Sequence, residues 1–232
     1  MTFKVRRRAL SPRRQALLEG WLDRWGLSEA GPVLDWAEVF GESAAGVDAI
    51  ADEFEDTASD HSPDVVLDIG FGHGESTSKM ALADPSTAVV GIEMHTPGVA
   101  TLLESIERDE LHNVRVVHGD ALMFLDRVGS GTLGGARIFF PDPWPKVRQH
   151  HRRIVSADVV RALVDRLRIG GTLHLATDIS DYAEVMQRVC DAEPQLEGGV
   201  IDRPDWRPLT RFEQRGLDEA RDSWDLLYRR VS

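Results

Sequence analysis

From residue 65 to residue 190 the chain alternates short apolar runs with helix-patterned stretches, and that alternation most restricts what it can fold into. Residues 65–69, 88–93, 114–117, 136–140 and 172–176 read as strands, rich in Val, Ile and Leu. Between them the 3.6-residue period predicts helices over 75–83, 97–108, 121–128 and 181–190. Pro97 suits the first turn of the second of these. A further helix, capped by Ser156, carries Val159, Val160, Leu163, Val164 and Leu167 on one face, and Gly170-Gly171 is expected to stop it. Residues 224–231 supply a last strand. Units of this kind predict an α/β fold with a mainly parallel sheet covered on both faces.

Upstream, residues 11–25 show helical spacing (Ala16, Leu17, Trp21, Leu22, Trp25) behind a basic tail. Residues 28–64 have weak periodicity, with a short helix expected over 46–54. The net charge of −12 argues at first against a nucleic-acid partner, but its distribution points the other way. Residues 31–64 hold ten acids and no Lys or Arg, which leaves only −2 for everything else. Residues 1–18 hold six bases and no acid, and residues 146–168 hold seven bases against Asp158 and Asp165. Two basic segments around an acidic one create local fields that the total conceals. Nothing approaches the roughly 18 apolar residues of a membrane span. The basic start has no apolar signal core behind it, and Cys190 is alone, so a reducing cytoplasmic setting is expected.

In a parallel sheet, ligands bind beyond the carboxyl ends of the strands. Strand one ends Asp68-Ile69-Gly70-Phe71-Gly72-His73-Gly74, strand two at Glu93, and strand three at Gly119-Asp120-Ala121. A glycine loop between strand and helix lets a ligand approach the backbone closely. The dinucleotide pattern G-x-G-x-x-G has Glu75 where its third Gly belongs, which fits a pyrophosphate poorly. Asp68, Glu93 and Asp120 would instead set three acids around one pocket, suited to a sulfonium, an ammonium and a ribose diol. S-adenosylmethionine is therefore favoured over NAD.

The fourth strand opens onto Pro141-Asp142-Pro143-Trp144-Pro145-Lys146-Val147-Arg148-Gln149-His150-His151-Arg152-Arg153. Three prolines in five residues fix φ and remove three donors, making a stiff turn with Asp142 and Trp144 at its tip. The bases behind it can grip phosphates, so the segment suits chemistry on a nucleobase in a polynucleotide. Adjacent His150 and His151 without Cys or a third spaced ligand fit zinc badly, and no metal is expected.

With these motifs in place, the chain resembles the bacterial tRNA (guanine-N7-)-methyltransferase family over roughly residues 60–230. The resemblance rests on VLDIGFGHG (66–74), GIEMH (91–95), GDALMFL (119–125), FFPDPWPKVRQHHRR (139–153), LATDISDY (175–182) and TRFEQRG (210–216). It implies a class I S-adenosylmethionine-dependent methyltransferase fold, Rossmann-like with a seven-stranded sheet. It also implies a basic extension with a helix at 1–30 and a methyltransferase domain at 31–232. Within that domain lie an acidic segment (31–64), a cofactor half (65–140) and a substrate and RNA half (141–232).

On the same basis Asp68, Gly70, Gly72, Gly74, Glu93, Asp120, Ala121 and Asp142 would bind cofactor, and Asp142 would be catalytic. Lys146, Asp178, Thr210, Arg211, Phe212 and Glu213 match substrate-binding positions. Arg148, His150, Arg152 and Arg153 match an RNA-contacting strip. The implied product is 7-methylguanosine in the variable loop of tRNA, made by a monomer or homodimer that needs neither membrane nor metal. Asp68 stands where the family often has Glu, and Gln149 and His151 where it often has His and a base.

Guanine N7 has an in-plane lone pair, so its methylation calls for alignment rather than a strong base. A carboxylate at Asp142 can accept hydrogen bonds from guanine N1–H and N2–H₂ and stabilise the ring as it becomes cationic. Trp144 either stacks on a base or plugs the turn. Three rival readings are methylation of an exocyclic amine and, from other classes, a nicotinamide oxidoreductase and an RNA-binding module that has lost catalysis.

Overall fold

The computed structural model describes residues 10–41, 63–210, 213–214 and 222–232. The expected helix at 46–54, the residues before Leu10, Arg211 and Phe212 lie outside the described residues. Among the described residues, seven strands form one sheet: β1 (Asp64–Ile69), β2 (Thr87–Glu93), β3 (Val114–His118), β4 (Leu133–Phe139), β5 (Leu167–Thr177), β6 (Leu196–Ile201) and β7 (Trp224–Arg230). Their order is β3-β2-β1-β4-β5-β7-β6. The first five strands run parallel, and β7 lies antiparallel to both β5 and β6. The helices are α1 (Pro12–Arg24), α2 (Trp36–Phe40), α3 (Glu75–Ala83), α4 (Thr96–Arg108), α5 (Ala121–Phe124), α6 (Ala157–Arg166) and α7 (Ser180–Asp191).

The side-chain alternation of the strands divides the core. Val65, Leu67, Val90, Ile92, Ala136, Ile138, Leu173 and Leu175 share a cluster with Leu163 of α6 and Tyr182 and Met186 of α7. Val89, Val114 and Val116 pack instead with Val99, Leu102, Leu103 and Ile106, a helical stripe of α4. Leu17 of α1 joins this second cluster, with Leu18, Trp21 and Trp25 against it. The N-terminal helix is thus part of the packed body. Gly26 forms a parallel bridge with Val116, which lengthens the sheet edge by one step. Arg127, buried, holds the following segment by donating to the carbonyls of Ser28 and Pro32 at 2.6 and 3.0 Å.

Some elements differ from the sequence expectation. Helix α6 ends at Arg166, and β5 begins at once at Leu167, so Gly170-Gly171 lies inside the strand. The pairing jumps from Leu133–Leu167 to Gly135–Thr172, a bulge in which Gly170 takes φ +85°. Strand β4 starts three residues earlier than the apolar run because Gly134 and Gly135 hide it; a Cβ at Gly134 would stand 1.5 Å from Asp64 Oδ1. The helix expected over 121–128 is one α-turn followed by a 3₁₀ turn at Leu125–Arg127. Strand β6 and the short helix α2 have no legible period, being Gly-containing and five residues long respectively.

Asn113, buried before β3, donates through Nδ2 toward the carbonyls of Ala81, Asp84 and Thr87 at 2.9–3.2 Å, tying the end of α3 to the start of β2. Removing it strands those carbonyls. Asn113→Ala is expected to lose about 2 kcal/mol of stability, measured by urea unfolding, with no new binding defect.

Candidate active site at the carboxyl edge of the sheet

Strand β1 pairs with β2 on one side and β4 on the other, so the chain leaves β1 and β4 toward opposite halves of the sheet and a crevice opens at the switch point. The loop out of β1 places Gly70, Gly72 and Gly74 at φ +74°, +60° and +72°, a conformation that costs non-glycine residues about 1–2 kcal/mol each. A Cβ at Gly70 or Gly72 would meet nothing within 4 Å, so these two positions keep an open backbone face. Gly74 serves packing instead, since a Cβ there would stand 2.7 Å from Leu102. The first turn of α4 presses on the loop so closely that a Cβ at Gly98 would lie 2.0 Å from Gly72 O.

Three acids stand at or near the ends of β1, β2 and β3. Asp68 is buried under the loop, where Thr77 Oγ1 donates to its Oδ2 at 2.7 Å. Burial pushes its carboxyl above the ordinary value; the Arg137 guanidinium and the Thr77 hydroxyl pull the other way, and Glu93 adds to the rise. Glu93 holds the loop itself: Gly72 N–H donates to Oε2 at 2.9 Å and His95 N–H to Oε1 at 2.7 Å. Each oxygen keeps a further lone pair for a hydroxyl. Asp120 caps α5 by accepting from Leu122 N–H at 2.8 Å, and Ala121 begins that helix, buried.

A fourth acid enters from outside the motifs. Glu29 Oε2 accepts from Asp120 N–H at 2.7 Å and leaves no room for a side chain at Gly119. No pattern around Glu29 in the sequence announces it.

Strands β4 and β5 carry the other half of the edge. Phe140 N–H donates to Ala176 O at 2.7 Å, after which the chain turns through Phe140 at φ +50° and Trp144 at φ +41°. Positive φ at two aromatic residues within five positions is stored strain, of the kind that gathers at functional sites. Asp142 projects between them, exposed, while Asp178 follows β5 on the neighbouring strand end. Lys146, Arg148 and Arg152 are exposed along the segment behind the turn, which forms a 3₁₀ helix at Val147–Arg152. Arg152 lies over the Trp144 ring at 3.9 Å, so one face of the half-buried Trp144 is taken by a cation.

Two expected RNA contacts do not fit their places. Arg153 is buried, its side chain 3% exposed, donating to Pro143 O at 2.8 Å and pairing with Asp181 at 2.6 Å. It has no face to offer a phosphate. His150 turns its Nε2 inward, sealed from solvent and without a hydrogen-bond partner among the described residues.

Glu213 is also buried, and both its oxygens accept from Arg207, at 2.7 and 2.9 Å. Thr210 and Glu213 form a capping box: Glu213 N–H donates to Thr210 Oγ1 at 3.0 Å, and Thr210 N–H to Glu213 Oε2 at 3.4 Å. The T-x-x-E spacing carried that signal. Arg207, fully buried, also donates twice to Asp225 at 2.7 Å, and His174 Nε2 stands 2.7 Å from the same carboxylate. This network anchors the Thr210 segment to β5 and β7.

Among the described residues no group of three or more His, Cys, Asp or Glu could hold a metal ion, and no helix is long and apolar enough to cross a membrane. Burial pushes the Cys190 thiol up to about 12, which leaves it unreactive at neutral pH.

The order of strands, the open glycine loop and the acids on successive strand ends define a class I S-adenosylmethionine-dependent methyltransferase. The fold comparison agrees: a solved 16S rRNA methyltransferase, KamB, superposes with a TM-score of 0.53 at 17% identity, over 73% of this chain and 88% of that one. Residues 62–226 match the family model described as a putative methyltransferase. A tRNA (guanine-N(7)-)-methyltransferase of Streptomyces coelicolor is 42% identical across 99% of this chain and 83% of its own length. Another, from Thiobacillus denitrificans, is 49% identical over 71% of this chain and 74% of its own length. The chain belongs to the tRNA (guanine-N7-)-methyltransferase family.

Burial alone would raise the Asp225 carboxyl, but the hydrogen bonds from His174 and Arg207 and the charge of Arg207 outweigh it and hold it below the ordinary value. Its contribution to stability is therefore present above the unfolded value of about 3.9 and is lost as pH falls through the lower folded one. Asp225→Asn should be less stable by about 3 kcal/mol at pH 7. In urea titrations across acid pH its stability should fall less steeply than that of the wild type.

Proposed function

We propose that the protein transfers a methyl group from S-adenosylmethionine to N7 of a guanosine in the variable loop of tRNA, giving 7-methylguanosine. The single observation that carries the reading is the strained Pro141–Trp144 turn, which sets an exposed acid at the end of β4 beside the open glycine loop at the end of β1. When bound, S-adenosylmethionine supplies a methyl group on a sulfonium sulfur, which the N7 lone pair can take without prior loss of a proton.

The glycine loop fits that cofactor: Gly70 and Gly72 leave space where a side chain would intrude, with Gly74 packed behind them. Asp68 would face the cationic portion, Glu93 the ribose hydroxyls, and Asp120 with Ala121 the adenine. Asp142 orients the guanine by accepting from N1–H and N2–H₂, and its charge favours the ring as it becomes cationic. Adenine lacks that donor pair. Asp178 and the Thr210 segment would close the base pocket from β5 and from the β6–β7 connection. Glu213 acts there by holding Thr210, and Arg211 and Phe212 are assigned with them from the family resemblance. Lys146, Arg148 and Arg152 hold phosphates. In this division residues 65–140 serve the cofactor and 141–232 the RNA, as a soluble cytoplasmic enzyme.

Incubation with methyl-labelled S-adenosylmethionine and unmodified tRNA transcripts, with the methyl group mapped by mass spectrometry and N7-sensitive strand cleavage, tests the reading. A methyl on an exocyclic amine would overturn it. Asp142→Ala should abolish transfer while tRNA still binds in a gel-shift titration. A second outcome concerns Asp68, whose carboxyl burial raises above its ordinary value. Cofactor affinity measured by calorimetry should weaken as pH falls through that raised value. Asp68→Asn should bind about 10- to 100-fold more weakly at pH 7 and lose the pH dependence.

A further inference from the structure

We propose that Arg153 is the positioning residue of the substrate turn: it locks the peptide that follows Pro143, and thereby the direction of Asp142, rather than touching RNA. The inference rests on the reading of Asp142 as the acid that orients the base.

Arg153 Nε donates to Pro143 O at 2.8 Å, and that carbonyl belongs to the peptide joining Pro143 to Trp144. Trp144 holds φ +41°, and fixing the peptide plane that precedes it helps to maintain that conformation against the cost of the left-handed region. Pro143 fixes its own φ, so the oxygen that Arg153 holds is the lever that sets the far side of the turn. The guanidinium is itself held from two sides. Nη2 pairs with Asp181 Oδ2 at 2.6 Å, and the plane lies over the Tyr182 ring at 4.5 Å. Both residues are in the first turn of α7, whose body is buried through Tyr182, Ala183, Met186 and Cys190.

Tyr182 Oη in turn accepts from Val155 N–H at 3.2 Å, which fixes the chain two residues beyond Arg153. The turn that carries Asp142 is therefore coupled to α7 through one side chain. Arg152, the next residue back, points outward over Trp144, so the two arginines divide the work: one faces the RNA side and one the core. Arg153 Nη1 is sealed from solvent without a partner among the described residues. A guanidinium kept under-satisfied in the core is a costly way to build a phosphate contact and a reasonable way to build a clamp.

Arg153→Ala, Arg153→Lys and Asp181→Asn, made in the full chain, test the clamp. Steady-state methylation of a tRNA transcript should show kcat lowered by about 10- to 100-fold in Arg153→Ala. The KM and Kd for tRNA, and the dependence of Kd on salt, should stay at wild-type values. Lys reaches only one of the two partners and should recover part of the rate; Asp181→Asn keeps an acceptor and should lose least. A tRNA Kd weakened with the salt slope reduced by about one, at unchanged kcat, would mark a phosphate contact and overturn the proposal. An independent arm uses 5-fluorotryptophan labelling, with the Trp144 fluorine resonance assigned through Trp144→Phe. That resonance should shift or broaden in Arg153→Ala and Asp181→Asn, and an unmoved resonance in both overturns the clamp. A wild-type protein that methylates no tRNA guanine would refute the proposed function, while the fluorine arm would still decide the clamp.

Discussion

The pairing of β1 with both β2 and β4 is the constraint on which the rest depends. All three strands are parallel, so their carboxyl ends open on one edge, and the chain leaves β1 and β4 toward opposite halves of the sheet. One half of that edge is built from acids and backbone amides, which suits a cationic ligand. The other is built from a rigid turn, an exposed carboxylate and a row of bases, which suits a base on a polyanion. The two halves meet because the strands do.

The site is held by polar groups that the sheet buries beneath it. Asp68, Arg137 and His174 occupy one register row across β1, β4 and β5, and Asp225 stands two residues further along on β7. Charges inside a sheet are costly unless paired. Here Thr77 and Arg137 act on Asp68, and His174 and Arg207 on Asp225. Arg207 lies against Phe139 and Phe140, so the network under Thr210 also touches the base of the proline turn. Rigidity around the proline turn comes from buried ion pairs, and around the glycine loop from glycine-enabled backbone contacts such as Gly72 to Glu93.

Much of the fold is legible because five parallel strands and their helices carry strong periods. The β6 strand is not, since Gly198 and Gly199 remove the side chains that would report alternation. The β5 bulge escapes for a related reason: two glycines after a helix look like a stop, whereas these two relieve a register shift beside Leu133 and Gly134. At the site, Asp68, the glycine loop, Glu93 and Asp120 can be read because each sits at or near a strand end. Glu29 and Arg207 cannot. Their importance lies in contacts to Asp120 and to Glu213 and Asp225, which no local pattern encodes.

The sequence by itself determined the fold class, the edge that carries the glycine loop and the acids, the electrostatic character of each half and the stiffness of the Asp142 turn. These follow from strand and helix periods, proline geometry and the order of acids and bases along the chain. Only the tertiary structure decided which member of the basic strip faces solvent. Arg152 and Arg153 are neighbours with the same side chain, yet one stacks outward on Trp144 and the other is drawn into α7 by Asp181 and Tyr182. Residue type announces a charge, but its exposure depends on which partners the fold brings within reach.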